Sequence, residues 1–518
     1  MRKAIIVIVL LTAAVHAASA PPLQFGDPER RQKLATAFPD IDRMFAEFAK
    51  AARVPGAAWG IVIDGELAHS GSAGVRDVAT GAPVDADTVF RIASMTKSFT
   101  AMSILKLRDD GKLSLDDPAE RYVPELKALR YPTTDAPRIT IRHLLSHSAG
   151  FPEDNPWGDQ QLSASEEQLS RMLREGIPFS NAPGLAYEYS NYGFAILGRI
   201  VARVSGKPYE AYVSQGILQP LGMTSTTLHP SEVAASRRAV GYRWEDERWK
   251  EEPSLPHGSF GAMGGMLTSI RDLSRYVAVL LDAWPPRDGA EAGPIRRASL
   301  REMQQAWRPA ATRVARASAT GATQLTSSSY GFGLSVTETC DFHAVVAHSG
   351  GLPGYGSLMR WLPDYGVGII AFGNLTYTGW GRVAGEAIDR LAKTGGLQPR
   401  EVSPSPVLVQ ARDEVSKLVV QWDDALAQRI AAGNLFLDRS KDRRRKELDD
   451  LRATVGACAA PDRFDVVENA LRGRWTMSCE RGKLQVAITL APTMPPGVQF
   501  LSVHPAPAEP QRASTCGQ

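Results

Sequence analysis

Three short groups of residues in this chain have types and spacings that could do chemistry. The first is Ser94-x-x-Lys97, a hydroxyl and an amine three residues apart. A run rich in helix formers follows from Ser98 to Arg108, and Gly111 ends it. Residues three apart share a helix face, and helical side chains lean toward the N-terminus, so Lys97 points back at Ser94. Ser94 falls in the first turn, where its backbone N–H has no intrahelical partner and can serve a developing oxyanion. A second copy, Ser103-x-x-Lys106, lies mid-helix, where the ladder consumes its N–H groups, and reads as structural. The second group, Tyr189-x-Asn191, is the sole Tyr-x-Asn in the sequence and precedes an apolar helix from Phe194 to Val204. The third, His348-Ser349-Gly350-Gly351, follows a strand-like run from Phe342 to Ala347.

These types suit covalent catalysis. A serine hydroxyl needs an adjacent base to attack. Lys and Tyr ordinarily titrate near about 10, so either serves at neutral pH only if its pKa falls. Burial lowers that of Lys, and a neighbouring cation lowers that of Tyr. The pattern therefore makes Ser94 the nucleophile and Lys97 with Tyr189 a joint general base and acid that shares one proton. Asn191 can hold Lys97 and a substrate amide. His143 and His147 lie four apart, but no Glu stands between them as in zinc proteases and no third ligand suggests itself, so no metal is expected. The Gly-rich stretch 261–270 lacks the Gly-Lys-Ser/Thr ending of a phosphate loop and suits close backbone packing.

Several elements must position these groups. Phe38, Ile41, Met44, Phe45 and Phe48 recur at helical spacing. Ala57–Ile63 and Glu66–Ala73 flank Asp64-Gly65, a two-residue hairpin turn. A short helix ends near Leu126. Residues 152–165 form a polar loop containing Trp157, which either edges a cleft or simply connects. Helices are expected at 165–175, 271–281 and 378–393. The Ala/Thr/Ser-rich stretch 310–328 is expected to be mobile. Tyr355–Leu362 and Val367–Phe372 read as strands around the turn Pro363–Gly366.

The chain of 518 residues allows two or three domains, and its 43% apolar and 22% charged residues are ordinary for a globular protein. Residues 1–20 have the form of a cleaved signal peptide: Arg2-Lys3, an apolar run from Ala4 to Val15, then Ala18-Ser19-Ala20. That run is short for a membrane span, and no Cys follows the cut, so a stable membrane anchor is not expected and a periplasmic or secreted location is. Net charge is +3 and falls further without Arg2 and Lys3, which gives no reason to expect nucleic acid as a partner. Gly395-Gly396 and Pro399, Pro404 and Pro406 mark a linker over 396–408, separating a domain at 21–395 from a small α+β module at 409–518. In the module, Val419, Trp422, Leu426 and Ile430 repeat at helical spacing. Arg443–Lys446, flanked by acids, reads as a solvated helix face. Trp475, Met477 and Cys479 alternate with polar residues, as do Leu484, Val486, Ile488 and Leu490. Of the cysteines Cys340, Cys458, Cys479 and Cys516, the pair Cys458 and Cys479 is expected to form a disulfide within the module.

With three motifs standing in this order, the chain resembles the serine β-lactamase and penicillin-binding protein superfamily. The likeness runs from about Phe38 to Lys393 and is strongest to the branch with class C β-lactamases, D-aminopeptidases and esterases. Phe90–Lys97, Ile141–Gly150 and Tyr189–Asn191 carry it. The resemblance implies an α+β fold of two lobes, an antiparallel sheet flanked by helices and an inserted helical lobe, with the site between them. It implies an oxyanion hole made by the N–H groups of Ser94 and Gly351, a Ser94 acyl-enzyme, and no cofactor. The implied partner is a small-molecule or peptide substrate, an ester or amide, with D-amino-acid peptides and peptidoglycan-related compounds within the branch's range. One departure matters: His348 stands where lactamases usually carry Lys, whose permanent charge receives a substrate carboxylate. The alternatives are a β-lactamase and, from another class, a penicillin-binding or sensor protein that acylates without turnover. The module after 400 lies outside the resemblance and could contact a partner or the chain itself.

Overall fold

The computed structural model describes residues 25–291, 293–317, 322–461 and 463–506. The leader 1–20 and Cys516 lie outside the described residues. Among the described residues two compact units form: 25–286 with 291–400, and 401–506 with 287–290. No helix among the described residues is long and apolar enough to cross a membrane.

The larger unit is built on a nine-stranded antiparallel sheet. Its order is Ala82–Pro83, Glu66–Asp77, Gly56–Ile63, Val367–Gly373, Tyr355–Leu362, Val345–Leu352, Ser335–Thr339, Ala322–Tyr330 and Arg308–Ala317. The first hairpin turns at Asp64 and Gly65, both at positive φ (54° and 82°), which matches the right-handed twist of its strands. The two ends of this unit's chain meet in the sheet, where Trp59 pairs with Ala371 and Ile61 with Ile369. Helices Phe38–Ala51 and Gly381–Lys393 cover one face, and Phe45 stacks between Trp59 and Trp380 with centroids 5.4 and 6.0 Å away. The other face carries helix Ile270–Asp282 and the core of the helical lobe. That lobe, with helices Thr96–Asp109, Ile141–Leu145, Glu166–Glu175 and Asn191–Ser205, is inserted between the third and fourth strands in chain order of this sheet. The α+β, two-lobe fold class expected from the resemblance is borne out.

Of the stretch expected to be mobile, residues 318–321 lie outside the described residues, and the rest lies in two paired strands, with Thr312 opposite Ser327 and Arg313 opposite Thr326. Its polarity resembled a loop, but polar Ser- and Thr-containing strands suit the outer part of a sheet, where backbone pairing does not require an apolar side chain. The second strand ends at Tyr330, which reaches the site described below.

The smaller unit packs helices Pro406–Val420, Asp424–Ile430 and Lys441–Val455 with a four-stranded antiparallel sheet. The helical period from Val419 to Ile430 is interrupted because Asp423 caps a new helix, accepting from the N–H groups of Ala425 and Leu426. The expected linker is shorter than its Pro and Gly content suggested: Arg400 still belongs to the larger unit, and Ser405 already caps the next helix. The basic run is not wholly solvated. Arg444 is buried and donates to the carbonyls of Leu435 and Leu501 and to Asp438, while Arg443, Arg445 and Lys446 pair with acids at the surface. Cys458 and Cys479 are joined by a disulfide that spans 21 positions. Replacing both by Ser is expected to cost the smaller unit roughly 3 kcal/mol. A lower urea midpoint for this unit's unfolding in the full chain, with the larger unit's transition in place, checks it.

Candidate active site

Ser94 sits in a 3₁₀ turn, Ala93–Met95, directly ahead of helix Thr96–Asp109, rather than in the first α-helical turn. The turn is strained: Ala93 has φ 48°, a left-handed conformation that costs a non-glycine residue about 1–3 kcal/mol in such sites. The surroundings hold it there. Ile92 N–H donates to Met266 O (3.0 Å), Ser357 Oγ donates to Ile92 O (2.8 Å), and Thr96 Oγ1 donates to Ala93 O (2.7 Å). Strand Val345–Leu352 presses on the same turn through Gly350, where a Cβ would lie 2.1 Å from Ile92 O. Only glycine allows that approach.

Lys97 is wholly buried one turn on. Its Nζ is 2.9 Å from Ser94 Oγ, 2.7 Å from Asn191 Oδ1 and 2.8 Å from Met263 O. An ammonium has three N–H groups, and these contacts use all of them. Burial pulls the Lys97 pKa down to about 7, against the opposing pull of Asp154 and Asp159. Because a protonated Lys can only donate, Asn191 must turn its oxygen to Lys97, and its Nδ2 then donates to Asn155 Oδ1 (2.5 Å). Met263 lies in the Gly-rich stretch, where a Cβ on Gly261 would meet His257 Nδ1 at 2.7 Å. Those glycines serve close packing there.

Asn191 begins helix Asn191–Ser205, three residues ahead of the expected apolar start. Ser190 caps that helix through Gly193 N–H (3.2 Å). Asp154 adds a second cap, accepting from Asn191 N–H (2.7 Å) and Tyr192 N–H (2.8 Å). The loop 152–165 therefore edges the cleft, with Asn155, Pro156 and Asp159 on its wall. Asp154→Ala is expected to cost about 1–2 kcal/mol, the upper range for a lost helix cap. Thermal unfolding checks this, and the variant should also lose activity because Asn191 is released.

Tyr189 places its ring centroid 4.8 Å from Lys97 Nζ and packs against the His147 ring at 4.2 Å with the planes tilted by 40°. Burial pushes its pKa well above the usual tyrosine value, and an opposing hydrogen bond from Ser94 does not offset this. Asp159 and Asp154 push the same way as burial, so the direction is opposite to the lowering anticipated from a neighbouring cation, and Tyr189 keeps its proton. His147 and His143 do not share a helix: Ile141–Leu145 ends before His147, which has φ 52°. His143 Nδ1 accepts from Thr140 N–H (3.2 Å), and His147 Nδ1 accepts from Ser190 N–H (3.1 Å).

His348 is buried on strand Val345–Leu352. Its Nδ1 lies 2.6 Å from Ser349 O, which can only accept, so Nδ1 carries the proton. Nε2 is then the acceptor for the Tyr330 hydroxyl at 2.9 Å. Burial and the nearby Lys97 push the His348 pKa down to about 3, leaving the ring neutral at pH 7. Ser94, Tyr189, His348, Ser349 and Gly351 open on one cleft of about 590 Å³. Lys97 and Asn191 stand behind it and Gly350 beneath the Ser94 turn. Sequence reasoning missed Asp154, Asn155, Asp159, Tyr330 and Tyr377, because no fixed spacing ties them to the motifs. The polar loop around Trp157 was the one available signal. Cys458 and Cys479 belong to the other unit.

A buried lysine beside a serine in a 3₁₀ turn, set between an inner strand of the antiparallel sheet and a helical lobe, defines the class. The chain belongs to the Beta-lactamase family, whose model matches residues 41–393. It is 29% identical over 252 residues to "Protein flp" of Staphylococcus aureus (strain COL), covering 48% of this chain and 49% of that protein. It is 33% identical over 240 residues to "Esterase EstB" of Burkholderia gladioli, covering 43% of this chain and 60% of the esterase. The aligned segment thus spans about half the length of the first of these curated relatives. The octameric penicillin-binding protein homologue from Pyrococcus abyssi superposes with a TM-score of 0.60 at 22% identity, covering 88% of this chain and 91% of that one, a likeness of fold.

Proposed function

We propose that this protein is an exported serine hydrolase that cleaves an ester or amide through a Ser94 acyl-enzyme. The observation that carries the reading is Lys97. Its Nζ sits 2.9 Å from Ser94 Oγ, its pKa is near 7, and two further contacts fix its direction. When Lys97 is neutral, Asn191 Oδ1 and Met263 O take two N–H groups and the lone pair faces Ser94. Lys97 then accepts the Oγ proton as Oγ bonds to the substrate carbonyl carbon. The N–H groups of Ser94 and Gly351 receive the negative oxygen. Tyr189, held protonated, gives its proton to the leaving nitrogen or oxygen as that bond breaks, and regains one from the Lys97 ammonium. Water releases the acyl group by the same proton path in reverse roles. The likeness to an esterase and the leader pattern at 1–20 support the reaction class and the export.

Neutral His348 favours peptidase or esterase chemistry over a dedicated β-lactamase, since it offers no cation to a substrate carboxylate. Intact mass after mixing with a fluorophosphonate and, separately, a penicillin tests the reading. A fluorophosphonate adduct with no lasting penicillin adduct and no penicillin hydrolysis is expected. Fast penicillin turnover makes it a β-lactamase, and a permanent penicillin adduct without turnover on any substrate makes it a sensor.

A further inference from the structure

We propose that the cleft selects acyl donors bearing a positive charge, an ammonium seated on Asp159, and rejects carboxylates. This rests on the acyl-enzyme reading and names its substrate class.

Asp159 is 4% exposed and lines the cleft with Ser94. Its Oδ2 accepts the Tyr377 hydroxyl at 2.8 Å. Among the described residues, Oδ1 has no hydrogen-bonded protein partner. A buried carboxylate oxygen left open to a cleft is an unfilled acceptor for a cation. Its place is fixed from both sides of the reacting centre. On one side, a Cβ on the neighbouring Gly158 would lie 2.6 Å from Asn191 Cβ, so the Trp157–Gln160 turn abuts Asn191. On the other, a Cβ on Gly351 would lie 2.6 Å from Tyr377 Cδ1, so the ring that holds Asp159 lies across the proposed oxyanion donor.

Among the described residues lining the cleft there is no Lys or Arg to meet an anionic donor. Lys97 has all three N–H groups engaged. His348 spends Nδ1–H on Ser349 O and accepts from Tyr330 at Nε2, leaving no N–H to offer. The remaining walls include the rings of Tyr187, Tyr330 and Tyr377, whose faces tolerate a cation and repel an anion.

Three fluorophosphonates with the same head group and ammonium, methyl or carboxylate tails test this by their rates of Ser94 labelling, followed by intact mass. The ammonium probe is expected to label at least about tenfold faster than the methyl probe, and the carboxylate probe at least about tenfold slower. Asp159→Asn should bring the ammonium-to-methyl rate ratio close to one. Tyr377→Phe, which keeps the carboxylate, should retain that ratio well above one and so separates charge from local disturbance. Equal rates for the three probes, a carboxylate preference, or an unchanged ratio in Asp159→Asn overturns the proposal. Absence of labelling by all three overturns the acyl-enzyme reading as well.

Discussion

Ser94→Ala is expected to abolish the fluorophosphonate adduct and to lower kcat/KM by at least about 10⁴-fold, the scale on which serine hydrolases lose activity with their nucleophile. The fold should survive the change. Lys97 keeps Asn191 Oδ1 and Met263 O, and the strained Ala93 turn is held by backbone and by Thr96 and Ser357, none of which uses the Ser94 hydroxyl. A near-wild-type thermal midpoint beside the lost adduct therefore separates chemistry from folding. The chain supplies its own control in Ser103, first residue of the second Ser-x-x-Lys. Ser103 is buried mid-helix, and its Oγ donates to Phe99 O at 2.9 Å. Ser103→Ala should leave labelling at wild-type rate. A Ser94→Ala protein that still forms the adduct would place the nucleophile elsewhere.

The contrast between those serines shows what the sequence could carry. Ser94 was legible because position at a helix start distinguishes it from Ser103, because Lys97 stands three residues on, and because Tyr189 and Asn191 form a short motif of their own. The hairpin at Asp64-Gly65 and the strands around Pro363–Gly366 were legible for the same reason, since turn chemistry is local. Asp159 and Tyr377 were not. They meet at 2.8 Å although 218 positions apart, and neither stands in a motif. The strand ending at Tyr330 was not legible because composition reports solvation, while the strand is fixed by backbone pairing to its neighbours. The protonation of Tyr189 was hidden too. Whether a cation or burial wins depends on how much water reaches the phenol, which no spacing encodes.

That balance of burial and charge leads to the second large effect, on Lys97. Only its neutral form has a lone pair for the Ser94 proton, and its pKa is pulled down to about 7. The kcat/KM of the free enzyme should therefore rise with pH through a single limb centred near 7 and fall about tenfold per unit below it. Histidine is the usual suspect for such a limb, but neither candidate fits. His348 is pushed down to about 3 and His147 well below its ordinary value, so both are neutral throughout the window. Tyr189 is pushed up and stays protonated across it. Lys97→Met should thus lower kcat/KM by about 10²–10⁴-fold and remove the limb. His348→Gln should keep the limb's midpoint whatever it does to the rate. A midpoint that moves with His348→Gln while Lys97→Met retains the limb would assign the base to the histidine. A limb that tracks Lys97 alone ties the pH response to the amine that three hydrogen bonds and complete burial have prepared.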